Sequence, residues 1–378
     1  MTATGPRLRA CLRWLLVLTV LAALVAVAVV WTRNRPSTGP ARSSALGPVT
    51  STGAGRLAAA APLDDVLADQ GNPVPLPGGG TLWLFADTAH LTAPRFFHTS
   101  SAAITDRRSP TVLNYLSDRA GLPLEFLPRT AGERAQQDDR GYVPIWPTGA
   151  ATLPDGRIIV SYSKYYVTRS PITFTFLSAG LYEYRHPGRS RVVAPPVRVA
   201  DGLWTAAEGA VGSPVYADGY LYLTLCEALQ CYALRAPPDR LVQRSGYTWW
   251  TGTGWSANSQ DRRPMTFGAD RPGRNPSVGL LPGTGVYAMT DTSAGAASGR
   301  GLLWVSRTPY GPWSVPVAFT LAGCVGFGCY AVIAHPQQST ADLVQIGYAT
   351  FDRSMYIHLV DVPVAIRDPR GVPSVHPR

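Results

Sequence analysis

The chain has 378 residues and a formal charge of +10, and only 15% of its side chains are charged against 46% hydrophobic. So few charges argue against a solvated helical bundle, whereas 37 glycines, 34 prolines and 17 tyrosines suit a fold of strands and turns. The positive charge is almost all arginine, Lys164 being the only lysine, and residues such as Arg95, Arg129 and Arg244 are scattered without a basic run, which excludes nucleic acid as an expected partner.

Residues 1–13 carry Arg7, Arg9 and Arg13 and read as a cytoplasmic n-region. From Trp14 to Trp31 the chain is apolar apart from Thr19. About 18 such residues just span a bilayer as a helix, so residues 14–31 are expected to form a single transmembrane anchor, with the membrane as a partner. A signal peptide cleaved near Ala26 or Ala28 is the alternative. Residues 32–56 are mostly Ser, Thr, Gly, Pro, Arg and Ala and are expected to be a flexible linker.

The cysteines bear on compartment. Besides Cys11 they form two pairs, Cys226/Cys231 and Cys324/Cys329, each bracketing four residues. That spacing suits opposed cysteines across a hairpin loop; a zinc site and free buried thiols are the other readings. Disulfides imply an oxidising compartment. The expected protein is therefore single-pass in the cell membrane with its C-terminal domain extracytoplasmic, or secreted after cleavage.

Residues 57–368 repeat loosely, and 369–378 read as a tail. Turns rich in Gly, Pro or Asp lead into strands at Leu82–Thr88, Arg157–Ser163, Tyr220–Cys226, Val286–Thr292 and Leu343–Ala349. A further strand-like segment follows most of them, and a small, polar one such as Thr148–Thr152 or Tyr330–Ala334 precedes several. Five units of three or four antiparallel strands around an axis make a five-bladed β-propeller; an irregular β-sandwich is the alternative. No phosphate loop and no Gly-x-Ser-x-Gly occurs, and the six histidines show no ligand spacing, so no cofactor or metal is expected.

In such a blade the first two strands form a hairpin, and residues equidistant from its turn face each other. Asp69 and Asp87 each lie nine residues from Gly78 and should sit side by side at one rim. The same geometry brings Glu208, Asn275 and Asp291 to that rim, with Trp146 and Tyr165, and Arg274 beside Asn275. It leaves Asp155 and Asp218 in turns at the far rim. Two carboxylates flanking a pocket are what glycoside hydrolysis requires, one to protonate the leaving oxygen and one as base or nucleophile, and aromatic faces stack on sugar rings. The candidate catalytic pair is Asp69 and Asp87, with Glu208 and Asp291 as supporting or alternative carboxylates and Trp146, Tyr165, Asn275 and Arg274 as substrate-binding residues.

Asp69-Gln-Gly71, the Gly-rich turn and Leu82-Trp-Leu-Phe-Ala-Asp-Thr88 resemble the first blade of a bacterial five-bladed propeller family, domain of unknown function 4185, which includes actinobacterial endo-D-arabinanases. Trp146-Pro-Thr-Gly149, Asn275-Pro-Ser-Val278 and Ser306-Arg-Thr-Pro-Tyr-Gly-Pro-Trp313 extend the resemblance over roughly residues 60 to 365. The sequence departs from the family pattern at Gln70 and Ala86, where Leu and Gly are usual. The resemblance implies an extracytoplasmic enzyme that cleaves arabinan or arabinogalactan of the cell wall, with Asp69 and Asp87 as its catalytic pair. A non-catalytic propeller that binds wall polysaccharide or a protein is the other reading.

Overall fold

A computed structural model describes residues 46–49, 51–61, 63 and 66–377, apart from 78, 91, 93–94, 189, 228–229, 274–275, 293–298, 325–327, 351–356 and 368–372. The described residues form five mainly antiparallel sheets, the blades of a propeller. Blade I comprises Val66–Pro75, Thr81–His90, Ser101–Thr105 and Val112–Tyr115. Blade II comprises Ile145–Thr152, Ile158–Arg169, Ile172–Tyr184 and Val197–Thr205. In blade III the inner strand is interrupted, Ala210–Val211 then Val215–Ala217, and Tyr220–Glu227, Gln230–Ala236 and Thr248–Trp250 follow. Blade IV holds Ser277–Leu281, Val286–Thr292, Arg300–Ser306 and Val317–Thr320. Blade V holds Cys329–Ala334, Leu343–Thr350 and Ile357–Arg367.

The inner strands touch their neighbours in chain order, and that of blade V meets that of blade I, so the ring is closed. Five apolar clusters follow from this closure, one at each junction. Val74, Leu82, Ile145 and Val160 fill the space between blades I and II. Ile159, Leu181, Leu221 and Leu234 fill that between II and III. Equivalent sets join III to IV, IV to V and V to I. Each blade thus buries both faces, and stability comes from five sheet-on-sheet contacts.

At the axis the strands come too close for large side chains, and small polar ones link blade to blade. Ser213 Oγ donates to the Thr148 carbonyl (2.9 Å), Thr152 Oγ1 to that of Pro75 (2.9 Å) and Thr290 Oγ1 to that of Val332 (2.9 Å). Gly149 is required here. Its φ is +146° and a Cβ would lie 2.6 Å from Ser213 Oγ. At the far rim, Asp218 and Gly219 (φ +48° and +81°) make the two-residue turn between Ala217 and Tyr220 that right-twisted hairpins favour.

Two expectations are corrected at the chain ends. Leu46–Val49 and Thr52–Arg56, placed in the linker 32–56, are strands. The first pairs with Val317–Thr320 of blade IV, and the second completes blade V against Ile357–Arg367. The tail 369–378 also contributes: Ser374–Pro377 pairs with Ile357–Arg367, and Val375 is fully buried in the IV–V cluster. The expected anchor, residues 14–31, and Cys11 lie outside the described residues. Among the described residues no helix is long and apolar enough to cross a membrane.

Both cysteine pairs are bonded, Cys226–Cys231 and Cys324–Cys329. The first joins facing residues of a blade III hairpin. The second, expected in a hairpin as well, instead spans the connection from blade IV to blade V. Two disulfides fit a protein of the extracellular or secreted kind. A thiol label on the unfolded chain is expected to gain four sites on reduction; the same four labelling before reduction would contradict the bonds.

Candidate active site

Asp69 and Asp87 lie on the first two strands of blade I, which are paired as the hairpin geometry requires. Ala68 faces Thr88, and Asn72 faces Leu84, with two register shifts in between at Gln70. Gln70 and Gly71 both have left-handed φ, +73° and +78°. Such a bulge bends the strand and re-aims the residue before it, and a non-glycine held there is strained in the way functional sites often are. Asp87 is held from its other side, where Thr88 Oγ1 bonds the Ala86 carbonyl (3.0 Å) and the Ser101 hydroxyl (2.8 Å).

The two carboxyls have different partners. Asp87 accepts from the Trp146 indole N–H on Oδ1 (2.8 Å) and from the Tyr142 hydroxyl on Oδ2 (2.6 Å). Asp69 accepts from the Tyr330 hydroxyl on Oδ2 (2.9 Å), and its Oδ1 is buried with no hydrogen-bond partner. Burial raises the Asp69 pKa far above the carboxylate range, and the neighbouring charge of Asp87 raises it further, against the bond from Tyr330 and smaller contributions from the Asp87 and Asp69 amides. Burial also raises Asp87, but the bonds from Trp146 and Tyr142 and the nearby Arg129 guanidinium oppose it. Close carboxyls share their titration; in this pair the proton belongs on Asp69 and the charge on Asp87. Unequal surroundings of this kind assign acid and base roles to a carboxylate pair.

Tyr142, Tyr330 and Arg129 are the site residues that sequence reasoning missed. Tyr142 sits in the two-residue strand Gly141–Tyr142, paired to the end of Ile158–Arg169. The Asp138 carboxylate braces it by accepting from the Arg140 and Gly141 amides (2.8 and 3.0 Å). Tyr330 begins a bulge in the inner strand of blade V, where Ala331 has φ +51°. Arg129 is buried and ion-paired to Glu125 at 2.7 Å.

The other expected residues divide. Trp146 is at the site, but it serves Asp87 as a hydrogen-bond donor as well as an aromatic wall. Tyr165 is buried behind it, ring centroids 5.2 Å apart, and supports that wall without offering a free face. Glu208 is engaged elsewhere: it pairs with Arg244 and accepts from the Thr205 amide (3.0 Å) and hydroxyl (3.2 Å), closing the turn into blade III. Asp291 is likewise used by the backbone, accepting from the amides of Gly273 and Thr292. Burial nevertheless raises its pKa to about 6. Arg274 and Asn275 lie outside the described residues. Among the described residues no group of three or more His, Cys, Asp or Glu is placed to hold a metal ion.

The chain matches no protein-family model and no curated protein. Among solved structures, a candidate hydrolase from Bacteroides ovatus aligns with a TM-score of 0.55 at 17% identity, over 78% of this chain and 85% of that one. The exo-β-1,3-galactanase of Phanerochaete chrysosporium, solved with β-1,3-galactotriose, aligns with a TM-score of 0.53 at 11% identity, over 86% of this chain and 66% of that one. At these identities the likeness establishes a shared propeller fold.

Proposed function

We propose that the protein is an extracytoplasmic glycoside hydrolase, with Asp69 as general acid and Asp87 as base or nucleophile. The observation that carries this reading is the asymmetry of the pair: one buried carboxyl with one side-chain donor, Tyr330, beside one with two, Trp146 and Tyr142, and a cation nearby. In glycoside hydrolysis the acid protonates the leaving oxygen as the C–O bond breaks, and the charged carboxylate activates water or attacks the anomeric carbon. That the galactanase of similar fold is itself a glycosidase supports the class.

The substrate we propose is a furanoside polymer of the cell envelope, arabinan or arabinogalactan, cleaved internally as by an endo-D-arabinanase. Support for this narrower reading is the blade I resemblance, and the two disulfides agree with an envelope location. The N-terminal apolar run would tether the propeller to the membrane. The test is to incubate the full-length protein with isolated actinobacterial arabinogalactan and follow reducing ends and product size. Short arabino-oligosaccharides released from within the chain are expected. Tight binding with no new reducing ends would replace the hydrolase by a polysaccharide-binding propeller.

A further inference from the structure

The second and third strands of blade II, Ile158–Arg169 and Ile172–Tyr184, have 12 and 13 residues, against 7 or 8 for the corresponding pair of blade III. Their extra length projects as a ribbon from the rim that carries Asp87. Directly opposed residues share a face of a ribbon, and here Arg169 opposes Ile172, Val167 opposes Phe174 and Tyr165 opposes Phe176. Tyr142 in turn opposes Val167. One face is therefore aromatic and aliphatic, while Thr168 opposes Thr173 on the other, with their hydroxyls 2.7 Å apart.

The apolar face is continuous with the carboxylate pair. Phe174 packs on Trp146 with centroids 6.0 Å apart, and Trp146 donates to Asp87. Toward the ribbon tip this face is open to solvent. Ile172 is 58% and Phe174 52% exposed. An apolar ring left in water beside a hydrogen-bonded carboxyl pair suits a ligand with both kinds of surface. A sugar ring is such a ligand, with C–H groups on its faces and hydroxyls around its edge.

We propose that this face of the blade II ribbon, with Phe174 at its centre, is a stacking subsite for the sugar unit next to the scissile linkage. The proposal rests on the glycosidase reading and specifies where the polymer leaves the carboxylate pair. It makes Phe174 a binding residue that acts on affinity more than on the chemical step. Arg169, whose guanidinium lies 5.5 Å from the Tyr142 ring centroid and donates from Nε to the Asp138 carbonyl (3.2 Å), borders the subsite.

The test uses full-length protein and isolated arabinogalactan, reading affinity from retardation in polysaccharide-containing gels and, separately, KM and kcat from reducing-end release. Phe174→Ala is expected to weaken retardation and raise KM about tenfold, the scale of losing one stacked ring, with kcat within a few-fold. Phe174→Trp should restore both. Val197→Ala, on a 66% exposed residue of the outer strand of the same blade, should change neither. Retardation and KM unchanged in Phe174→Ala would overturn the subsite, whatever the turnover. Retardation lost in Phe174→Ala by a protein that releases no reducing ends would uphold the subsite as a binding surface and count against the hydrolase reading alone.

Discussion

Asp69→Asn and Asp87→Asn are each expected to lower kcat on arabinan about a hundredfold or more, the usual contribution of acid–base catalysis, without loss of stability. The two pKa shifts have one sign but opposite consequences for rate. Asp69 must hold its proton, so activity falls as pH rises through its raised pKa. Asp87 must be ionised, so activity falls as pH drops through its own. The pH–rate profile is therefore a bell, whose alkaline limb should vanish in Asp69→Asn and whose acid limb should vanish in Asp87→Asn. Stability moves the other way. A carboxyl whose folded-state pKa lies above its unfolded value opposes folding once pH exceeds the unfolded value, so a neutral amide at either position should leave the melting temperature unchanged or raise it. Asp218→Asn, in the far-rim turn, should keep near-normal kcat. Equal losses at Asp87 and Asp218 would mean that the substitutions act through folding.

The second large effect lies where the chain passes from blade I to blade II. Glu133, in the short helix Ala131–Ala135, forms a capping box with Thr130. It also receives Lys164 at 2.8 Å and Arg198 at 2.8 and 2.9 Å. Arg198 and Lys164 in turn share Asp201. This network pins the helix to blade II, Lys164 lying on Ile158–Arg169, the strand paired with that of Trp146, and Arg198 on the outer strand Val197–Thr205. Burial alone would raise the Glu133 carboxyl, but the bonds from Arg198, Lys164 and the Thr130 amide outweigh it and hold the pKa down at about 2. Glu133→Ala leaves Arg198 and Lys164 with only the half-exposed Asp201 as carboxylate partner, and losing a charged hydrogen-bond partner of this kind typically costs about 1–3 kcal/mol. Denaturant unfolding should show that loss at neutral pH. Because the folded-state pKa is depressed, the wild-type advantage is present above the unfolded value of about 4.3 and disappears as pH falls toward 2. A constant difference between the two proteins from pH 7 to pH 2 would show that the network is not its source.

Much of this architecture can be read from the residues, and the gaps have physical causes. The second strands of all five blades stand out because both faces are buried, which makes them continuous apolar runs such as Tyr220–Glu227. The Asp69–Asp87 pairing follows from distance to the turn and survives the bulge at Gln70, since the register of the hairpin on either side is the same. Thr52–Arg56 was hidden because it is an edge strand held by backbone pairing, with four of its five residues exposed; its composition is that of a linker. Tyr330 was hidden because its contact with Asp69 spans 261 positions and depends on a bulge that no local pattern announces. The alternation Ile172-Thr-Phe-Thr-Phe176 was a legible signal of a ribbon with one apolar face, but it lies beyond the segment that the repeat marks as the third strand. Glu208 and Asp291, expected as supporting or alternative carboxylates, are engaged by the backbone for a common reason. Acidic residues at a strand end accept backbone amides, and both do so here.

The most direct measurement is a carbon-13 NMR titration of the aspartate carboxyls in the unliganded protein, with Asp69→Asn, Asp87→Asn and Asp291→Asn to assign the signals. One carboxyl, lost in Asp69→Asn, should titrate well above the ordinary range of about 3.9. In Asp87→Asn, where the neighbouring charge is gone, that same signal should move down toward it. Both members of the pair titrating near 3.9, each indifferent to substitution of the other, would contradict the account.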